Sequence, residues 1–282
     1  MNYRHVFHAG NFADVTKHLI LTRILVYLRR KPAAFRVIDT HAGVGLYDLE
    51  GDDAGRTGEW ADGIGRLVER GLPEPAAELA APYLEAVRAF NPDGGLRFYP
   101  GSPLIARHLL RAQDRLFALE LHPEDAEALK ENFAGDIQTR VTRLDGWAAL
   151  GTHLPPKEKR GLVLVDPPFE DRNEFSHLVS GLQKAHARWP GGLYALWYPL
   201  KEPERTDRFV AGLKATNIPK ILRIELTLRA PSTPPRLHGT GMIVVNPPYV
   251  LEEEMKILLP PLAALLSDED RGRWRMDWIA GE

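Results

Sequence analysis

The pattern of hydrophobic and polar positions predicts an alternation of helices and strands along the chain. Apolar residues recur at helical spacing between Val15 and Leu28, which predicts a helix over about 14–30 that ends before Pro32. Farther along, short apolar runs end in polar residues or glycine, as buried strands do. The strands predicted in this way cover residues 35–39, 116–120, 140–144, 162–165, 193–197, 221–228 and 242–245. The further helices predicted cover residues 103–111, 123–133, 174–188, 203–215 and 251–266.

The order of these elements predicts a doubly wound α/β sheet. Strands that alternate with helices favour a parallel sheet with helices on both faces. Residues 229–239 join the last two strands and are too few and too rich in proline for a crossover helix, so we expect this pair to be antiparallel. This order resembles the Rossmann-like sheet of the class I S-adenosylmethionine-dependent methyltransferases, in which the strands are arranged 3-2-1-4-5-7-6. A nicotinamide-binding Rossmann domain is the alternative, and it would normally keep a sixth parallel strand.

Residues 47–99 interrupt this alternation. Glycine and acidic residues open the stretch, helical patterns follow near 58–70 and 74–90, and Asn91–Gly95 has the composition of a turn. We therefore expect a small inserted helical subdomain at 47–99 within a single Rossmann-like domain that comprises residues 1–282. After the last helix the pattern predicts only a short tail.

The composition narrows the class of protein. The chain has 282 residues, of which 44% are hydrophobic and 26% charged, and this suffices for one large α/β domain. No run reaches the roughly 18 apolar residues of a membrane span, and the N-terminus lacks the apolar core of a signal peptide. We therefore expect a protein that does not contact membranes, and we expect it to be a monomer.

Charge and metal-binding residues exclude further classes. The absence of cysteine excludes disulfides and thiolate zinc sites and favours a cytoplasmic location. The ten histidines are scattered, so we expect no metal. A formal net charge of −2 disfavours a protein that coats nucleic acid by overall charge alone, although it leaves room for a local basic patch.

The loops after the first three strands carry groups that suit a nucleoside ligand. Gly43 and Gly45 follow the first strand at the spacing of a tight turn, but Asp48 replaces the third glycine of a dinucleotide-binding loop. This disfavours a pyrophosphate ligand, whereas methionine's carboxylate and sulfonium need no such cradle. Ligands of doubly wound sheets bind at the carboxyl ends of the strands. There Glu120 can accept hydrogen bonds from ribose hydroxyls, and Asp145-Gly146 can meet an adenine edge.

Two short motifs share the same layout. Gly161–Val165 runs into Asp166-Pro-Pro-Phe169, and Gly241–Val245 runs into Asn246-Pro-Pro-Tyr249. Each is a buried strand followed by a polar acceptor, two prolines and an aromatic ring. This layout suits methylation of an exocyclic amino group on a base. Such a nitrogen is a poor nucleophile because its lone pair is delocalised into the ring, and two acceptors for its N–H bonds make the lone pair available.

Strand order selects the first copy as the active one. The Asp166 side chain would accept one N–H bond, the rigid Pro167 carbonyl would accept the other, and Phe169 would stack on the base, which is worth roughly 1–3 kcal/mol. Asp166 ends the fourth strand, beside the first, and so faces the donor pocket. Asn246 ends an antiparallel strand and points toward the opposite edge of the sheet. We predict Asp166, Pro167 and Phe169 as catalytic residues and Asn246 as a structural strand end.

Several longer stretches resemble one family of enzymes. With these motifs in place, the chain resembles the RlmJ-type 23S ribosomal RNA adenine-N6 methyltransferases over essentially its whole length, and that family also has a helical subdomain inside its core. The stretches that carry the resemblance are Tyr3–His18, Asp39–Gly45, Tyr99–Pro103, Glu120–Pro123, Asp145-Gly146, Asp166–Phe169 and Ala195–Pro199. The first of these is long and unusual in sequence.

The resemblance implies further site residues. Those expected around S-adenosylmethionine are Lys17, His18, His41, Gly43, Ser102, Glu120, Asp145, Gly146 and Asp166. Tyr3 is expected to contact the RNA. From the residues alone, His18 would be a packed or solvated helix residue and Ser102 a helix cap. Phe169 departs from the tyrosine that is usual in the family signature, so stacking is kept and only a hydroxyl contact is lost.

The resemblance implies a specific reaction and partner. We expect an S-adenosylmethionine-dependent enzyme, without metal, that methylates N6 of a specific adenine in 23S ribosomal RNA, either free or in an assembly intermediate. The target base must leave its stack, which is easiest in single-stranded or loosely folded RNA. Two alternatives stay open. A DNA adenine-N6 methyltransferase would normally need a larger sequence-reading domain, and a non-catalytic RNA-binding ribosome assembly factor would keep the fold without the reaction.

Overall fold

The structure, a computed structural model, describes residues 7–51, 57–268 and 271–281. The strands are β1 Arg36–Asp39, β2 Leu46–Asp48, β3 Phe98–Pro100, β4 Arg115–Glu120, β5 Thr139–Arg143, β6 Gly161–Val165, β7 Leu193–Leu200, β8 Ile221–Thr227, β9 Gly239–Val245 and β10 Arg273–Ala280. The α-helices are α1 Phe12–Arg29, α2 Arg66–Arg70, α3 Ala76–Ala89, α4 Ser102–Leu109, α5 Pro123–Asn132, α6 Gly146–Thr152, α7 Glu174–Arg188, α8 Pro203–Ala215 and α9 Leu251–Leu266, and a π-helical turn, Ala61–Gly65, precedes α2.

The central sheet has the strand order that the sequence predicts. Its eight strands are arranged β10-β8-β9-β7-β6-β1-β4-β5. Strands β5, β4, β1, β6 and β7 pair in parallel, whereas β9 is antiparallel to both β7 and β8. Without β10 and the short β2 and β3, this is the order 3-2-1-4-5-7-6, with the last pair antiparallel. The predicted α/β methyltransferase fold class is confirmed.

The C-terminal tail is a strand, and here the prediction was wrong. β10 pairs antiparallel with β8 from Arg273, opposite Thr227, to Ala280, opposite Ile221, and so adds an eighth strand at the sheet edge. Polar and large apolar side chains alternate from Arg273 to Trp278 with the period of a strand. Basic residues at this edge also fit an exposed edge strand.

Two apolar layers cover the two faces of the sheet. Alternate strand residues supply opposite faces, so that Val37 packs on one side and Ile38 on the other. Helices α1, α3, α4 and α9 cover the first face, and α6, α7 and α8 cover the second. Helix α1 is buried on nearly every side, which explains its many aliphatic residues. Its first turn therefore holds a fixed place at the carboxyl edge of the sheet.

Residues 46–100 leave the sheet and return to it. β2 and β3 pair antiparallel, with Leu46 opposite Pro100, so the two ends of this stretch meet. Between them lie the π-helical turn, α2 and α3. This arrangement supports an inserted helical subdomain at 47–99, which we propose as the domain organisation. In the part of the chain that the structure describes, no helix is long and apolar enough to cross a membrane.

Candidate functional site

A cavity of about 680 Å³ opens at the carboxyl edge of the parallel strands. Its walls come from the first turns of α1, the loop after β1 and the ends of β4, β5, β6 and β7. The predicted site residues that line it are Lys17, His18, His41, Gly43, Ser102, Glu120, Asp145, Gly146, Asp166, Pro167 and Phe169. The fold thus brings eleven predicted residues together, while their individual roles stay predictions. Tyr3 lies outside the described residues.

A buried lysine links α1 to the Asp-Pro-Pro-Phe motif. The Nζ atom of Lys17 donates to Asp166 Oδ2 and lies 2.8 Å from Asp14 Oδ1. The side chain of Lys17 is only 4% exposed. Burial lowers the pKa of Lys17, but the carboxylates of Asp14 and Asp166 more than offset this effect, and the resulting pKa is raised. Lys17 is therefore a fixed positive charge, and it leaves Asp166 Oδ1 available to a ligand.

The motif after β6 forms a strained turn with an aromatic wall. Phe169 has a φ of +53°, a left-handed conformation that costs a non-glycine residue roughly 1–3 kcal/mol. Its ring contacts Phe175 and Trp197 edge to face, with centroids 5.0 and 5.5 Å away. Trp197 in turn donates from Nε1 to Thr240 Oγ1 at 2.8 Å. The turn therefore places Phe169 in the wall of the cavity that Asp166 also lines.

The loop after β1 holds His41 in one neutral form. The hydroxyl of Thr40 donates to the Leu164 carbonyl at 2.9 Å, so its oxygen accepts from His41 Nδ1–H, 2.8 Å away. Burial lowers the pKa of His41 to about 4. The imidazole is neutral at pH 7 and carries its proton on Nδ1, which leaves Nε2 as a hydrogen-bond acceptor. The ring packs against Trp147 at 5.4 Å.

Glycines at two predicted positions permit close approach of the backbone. A Cβ atom at Gly146 would lie 2.3 Å from the Thr40 carbonyl oxygen, so only glycine lets α6 begin there. Gly43 has a φ of +61°, and a Cβ atom would lie 2.3 Å from Tyr47 Oη. Asp145 caps α6 by accepting from Trp147 N at 3.0 Å. The loop after β1 thus presents backbone to the cavity, and the start of α6 presents backbone together with the Asp145 carboxylate.

Glu120 anchors the loop of β1 to the end of β4. Its two oxygens accept from Gly43 N at 2.9 Å and from His122 N at 2.8 Å. Burial raises the pKa of Glu120, and these two backbone hydrogen bonds oppose that rise. Each carboxylate oxygen has a second lone pair, so Glu120 can still accept a hydrogen bond from a ligand.

Ser102 is not the helix cap that the sequence alone suggests. The N-cap of α4 is Gly101, and Ser102 is the first helical residue. The Ser102 hydroxyl instead donates to Asp39 Oδ2 at 2.6 Å, beneath the cavity. Asp39 is 1% exposed, and burial raises its pKa to about 7 against the opposing Ser102 hydrogen bond. Sequence reasoning favoured the cap because a serine before an apolar run is common there.

His18 connects the cavity to the stretch between β2 and α4. His18 Nδ1 lies 2.6 Å from the Tyr99 hydroxyl, which lies 3.0 Å from the Tyr83 hydroxyl on α3. All three side chains are buried. His18 is therefore neither solvated nor packed only against apolar groups. Its place at the cavity wall is fixed by two tyrosines that sequence reasoning did not single out.

Asn246 lies at the opposite edge of the sheet, as strand order predicts. Its side-chain amide donates to the carbonyls of Pro190 at 2.9 Å and Gly192 at 2.7 Å, just before β7 begins. Its φ of +53° is one that asparagine tolerates. Tyr249 is 79% exposed and packs edge to face on Tyr27. The second Pro-Pro motif ends a strand and lines no part of the cavity.

Comparison with known protein families identifies the chain. Residues 32–280 match the family described as "Ribosomal RNA large subunit methyltransferase D, RlmJ". The chain belongs to this family. The resemblance inferred from the motifs is therefore confirmed, and with it the prediction of an enzyme of the ribosomal RNA methyltransferase class.

Individual members of this family match over their full length. The Ribosomal RNA large subunit methyltransferase J of Haemophilus influenzae is 44% identical over 284 residues and covers 100% of both chains. The protein of the same description from Escherichia coli (strain K12) is 44% identical over 283 residues and also covers 100% of both chains. A crystal structure of a Legionella pneumophila protein is 33% identical, with a TM-score of 0.88 over 96% of this chain and 98% of that chain.

Asp14, Asp39 and Trp197 are further residues of the cavity region to which sequence reasoning gave no role. Asp14 precedes Lys17 by three positions on α1, a spacing that could have indicated the ion pair. Asp39 ends β1 at the ligand-binding edge of the sheet, a place shared with Glu120 and Asp145. Trp197 belongs to β7, which extends to Leu200 and not to 197 as predicted. None of the described residues form a group of three or more His, Cys, Asp or Glu side chains that could hold a metal ion.

Proposed function

We propose that the protein transfers a methyl group from S-adenosylmethionine to N6 of an adenine in 23S ribosomal RNA. The observation that carries this proposal is the juxtaposition, in one cavity, of Asp166-Pro-Pro-Phe169 with the groups that end β1, β4 and β5. Family membership supports it, because the relatives from Haemophilus influenzae and Escherichia coli are described as ribosomal RNA large subunit methyltransferases.

The residues at the ends of β1, β4 and β5 fit the methyl donor. Gly43 has no side chain and lets the backbone of this turn line the cavity. Glu120 keeps lone pairs for ribose hydroxyls, and Asp145, which also lines the cavity, could accept from an adenine amino group. Negative side chains of Glu120, Asp125 and Asp145 near one wall also suit a cationic ligand. When bound, S-adenosylmethionine supplies an electrophilic methyl group on its sulfonium.

Asp166 and Pro167 are positioned to activate the amino group of the base. Asp166 Oδ1 and the Pro167 carbonyl would accept its two N–H bonds, and the Phe169 ring would stack on the base. After methyl transfer the nitrogen still carries two protons, whereas the N6-methyladenine product carries one. The extra proton can pass to the Asp166 carboxylate, which already accepts one of the N–H bonds. Holding the amino group in line with the methyl group supplies much of the remaining rate enhancement.

Lys17 fixes the orientation of Asp166 in this reaction. Its ion pairs with Asp14 and Asp166 are buried, so rotation of the Asp166 carboxylate would break a buried charge-assisted hydrogen bond. The ammonium also lies 6.0 Å from the Trp197 ring, within cation–π distance. We infer that Tyr3, from the N-terminal segment, completes the contact with the RNA.

Methyl transfer by matched variants tests the proposal. Asp166→Ala should lose label transfer from methyl-labelled S-adenosylmethionine to 23S ribosomal RNA by about a hundredfold or more, the scale of one electrostatic catalytic group. Asn246→Ala changes the same position of the second motif and should retain most of the activity. Thermal unfolding of both variants establishes that each is folded. Equal loss of activity in both, or label in DNA and none in ribosomal RNA, would contradict the proposal.

A further inference from the structure

A second surface of the molecule is strongly basic and lies far from the cavity. It consists of the segments 29–31, 111–115 and 157–160, which precede β1, β4 and β6 and which we name the basic edge. Of these twelve residues eight are lysine or arginine and two are acidic, in a chain whose net charge is −2. The three segments lie at the amino ends of parallel strands that pair directly with one another. The charge is therefore concentrated on one side of the molecule.

The two acidic residues of the basic edge do not neutralise its exposed surface. Asp114 is fully buried and accepts from Arg111 Nε at 2.8 Å and from Phe35 N at 3.1 Å. Glu158 is 13% exposed and accepts two hydrogen bonds from Arg36, at 2.9 and 3.0 Å. Lys31 and Lys157, in contrast, are exposed. The charges that face solvent at this edge are therefore positive.

Two arginines hold the segments together, and one of them, Arg111, is also paired with Asp114. Arg111 donates to the carbonyls of Lys31 at 2.7 Å and Ala33 at 3.1 Å, and Arg160 donates to Ala33 at 2.8 Å. Their guanidinium groups lie 5.5 and 5.6 Å from the Phe35 ring. Burial, and then the like charge of Arg111, lower the pKa of Arg160. Hydrogen bonds to backbone carbonyls thus hold the two guanidinium groups close together, although their like charges repel each other.

We propose that the basic edge is a second RNA-contacting surface, which binds phosphates of the ribosomal RNA away from the target adenine. This inference rests on the proposed function. A rigid, exposed cluster of positive charge fits a polyanion, and each phosphate contact with lysine or arginine releases counterions. The basic edge is separated from the cavity by the length of the strands, which is about 20 Å for the six residues of β4. A folded ribosomal RNA segment is large enough to reach both, so the surface would raise affinity for long RNA without taking part in the reaction.

Salt dependence of RNA binding tests this proposal. The variant combines Lys31→Gln and Lys157→Gln, which remove two exposed charges and no hydrogen bond described above. The matched control combines Lys184→Gln and Lys214→Gln, on α7 and α8 outside the basic edge. We expect the slope of log affinity against log salt concentration, measured with 23S ribosomal RNA, to fall by about two in the variant, one for each lysine, and to stay unchanged in the control.

Kinetics with the wild type, the variant and the control separate the possible outcomes. The variant should show a raised KM for 23S ribosomal RNA, an unchanged kcat and an unchanged affinity for S-adenosylmethionine. Equal slopes and KM values for variant and control would overturn the proposal, as would loss of binding to anionic lipid vesicles with unchanged RNA binding. Absence of methyl transfer by the wild-type protein would instead contradict the proposed function, so the two failures are distinguishable.

Discussion

At the scale of single residues, the two Pro-Pro motifs differ in what their first side chain can still accept. Both protons of the Asn246 amide are donated to carbonyls of the chain. Asp166 lines the cavity and is held through Oδ2 by a buried lysine, which leaves Oδ1 as a further acceptor. The same layout therefore ends a strand in one place and presents an acceptor to a ligand in the other. The difference in role therefore arises from the surroundings of each motif in the fold and not from the shared pattern of its sequence.

Asp39 and His41 should make opposite contributions to the pH dependence of stability. The pKa of Asp39 is raised from 3.8 to about 7. As the pH rises, the unfolded chain therefore releases this proton before the folded chain does, and the contribution of Asp39 to the free energy of unfolding falls between about pH 4 and 7. The pKa of His41 is lowered from 6.5 to about 4. As the pH drops, the unfolded chain therefore binds a proton at His41 before the folded chain does, and the contribution of His41 to the free energy of unfolding falls between about pH 6.5 and 4.

Asp39→Asn should remove the first contribution and leave the second. The amide oxygen can still accept from Ser102, whereas the 3.3 Å hydrogen bond from His41 N to the other carboxylate oxygen is lost. That loss lowers stability by an amount that does not depend on the Asp39 proton. The difference in the free energy of unfolding, variant minus wild type, should increase as the pH rises from about 4 to 7, by at most about 1.4 kcal/mol per pH unit. Urea denaturation of both proteins across this range measures the difference. A difference that does not change with pH would contradict the assignment.

Sequence could identify most residues of the site but not their hydrogen bonds. The ends of successive strands pointed to Glu120, Asp145 and Asp166, because parallel strands bring their carboxyl ends to one edge. The Ser102–Asp39 hydrogen bond joins residues 63 positions apart, and no local pattern indicates it. A serine before an apolar run has a good local explanation as a cap, and that explanation was wrong.

At the scale of elements, α6 depends on a close approach to the loop of β1. This seven-residue helix was not predicted as a separate element, because Gly146–Thr152 is too short to show a helical period. Its capping residue, Asp145, and its first residue, Gly146, both line the cavity. The position of the helix therefore decides whether these groups can contact a donor.

Gly146→Ala should displace α6 and weaken donor binding. The added Cβ atom would lie 2.3 Å from the Thr40 carbonyl oxygen and 3.0 Å from the His41 ring. Such overpacking costs roughly 1–3 kcal/mol, so we expect a lower melting temperature and a Kd for S-adenosylmethionine raised about tenfold. Calorimetric titration measures the Kd.

Gly151→Ala is the matched control on the same helix. A Cβ atom at Gly151 would meet no atom within 4 Å, and alanine favours helix over glycine by roughly 0.5–1 kcal/mol. We expect unchanged donor affinity and equal or higher stability. If both substitutions weaken donor binding to the same degree, the close contact with Thr40 is not what positions the site.

At the scale of the whole molecule, strand order is the feature that sequence predicted best. Alternation of strands and helices, and a connection too short for a helix, predicted a parallel sheet with an antiparallel last pair. The resemblance to class I methyltransferases then implied the order 3-2-1-4-5-7-6, which the sheet contains. The eighth strand was missed because charged residues separate its apolar ones and no residue of the strand is buried, although Trp274 and Trp278 flank Met276 at strand spacing. The basic edge was not predicted, because only the fold brings its three segments together.

The identity of the methylated base tests the central claim most directly. We propose incubating the protein with methyl-labelled S-adenosylmethionine and transcribed 23S ribosomal RNA, digesting the RNA to nucleosides and identifying the labelled product by mass spectrometry. The account predicts N6-methyladenosine as the labelled nucleoside, at a single position of the RNA, and none with Asp166→Ala. Label on any other nucleoside, or no label in RNA that is intact and free of this modification, would contradict it.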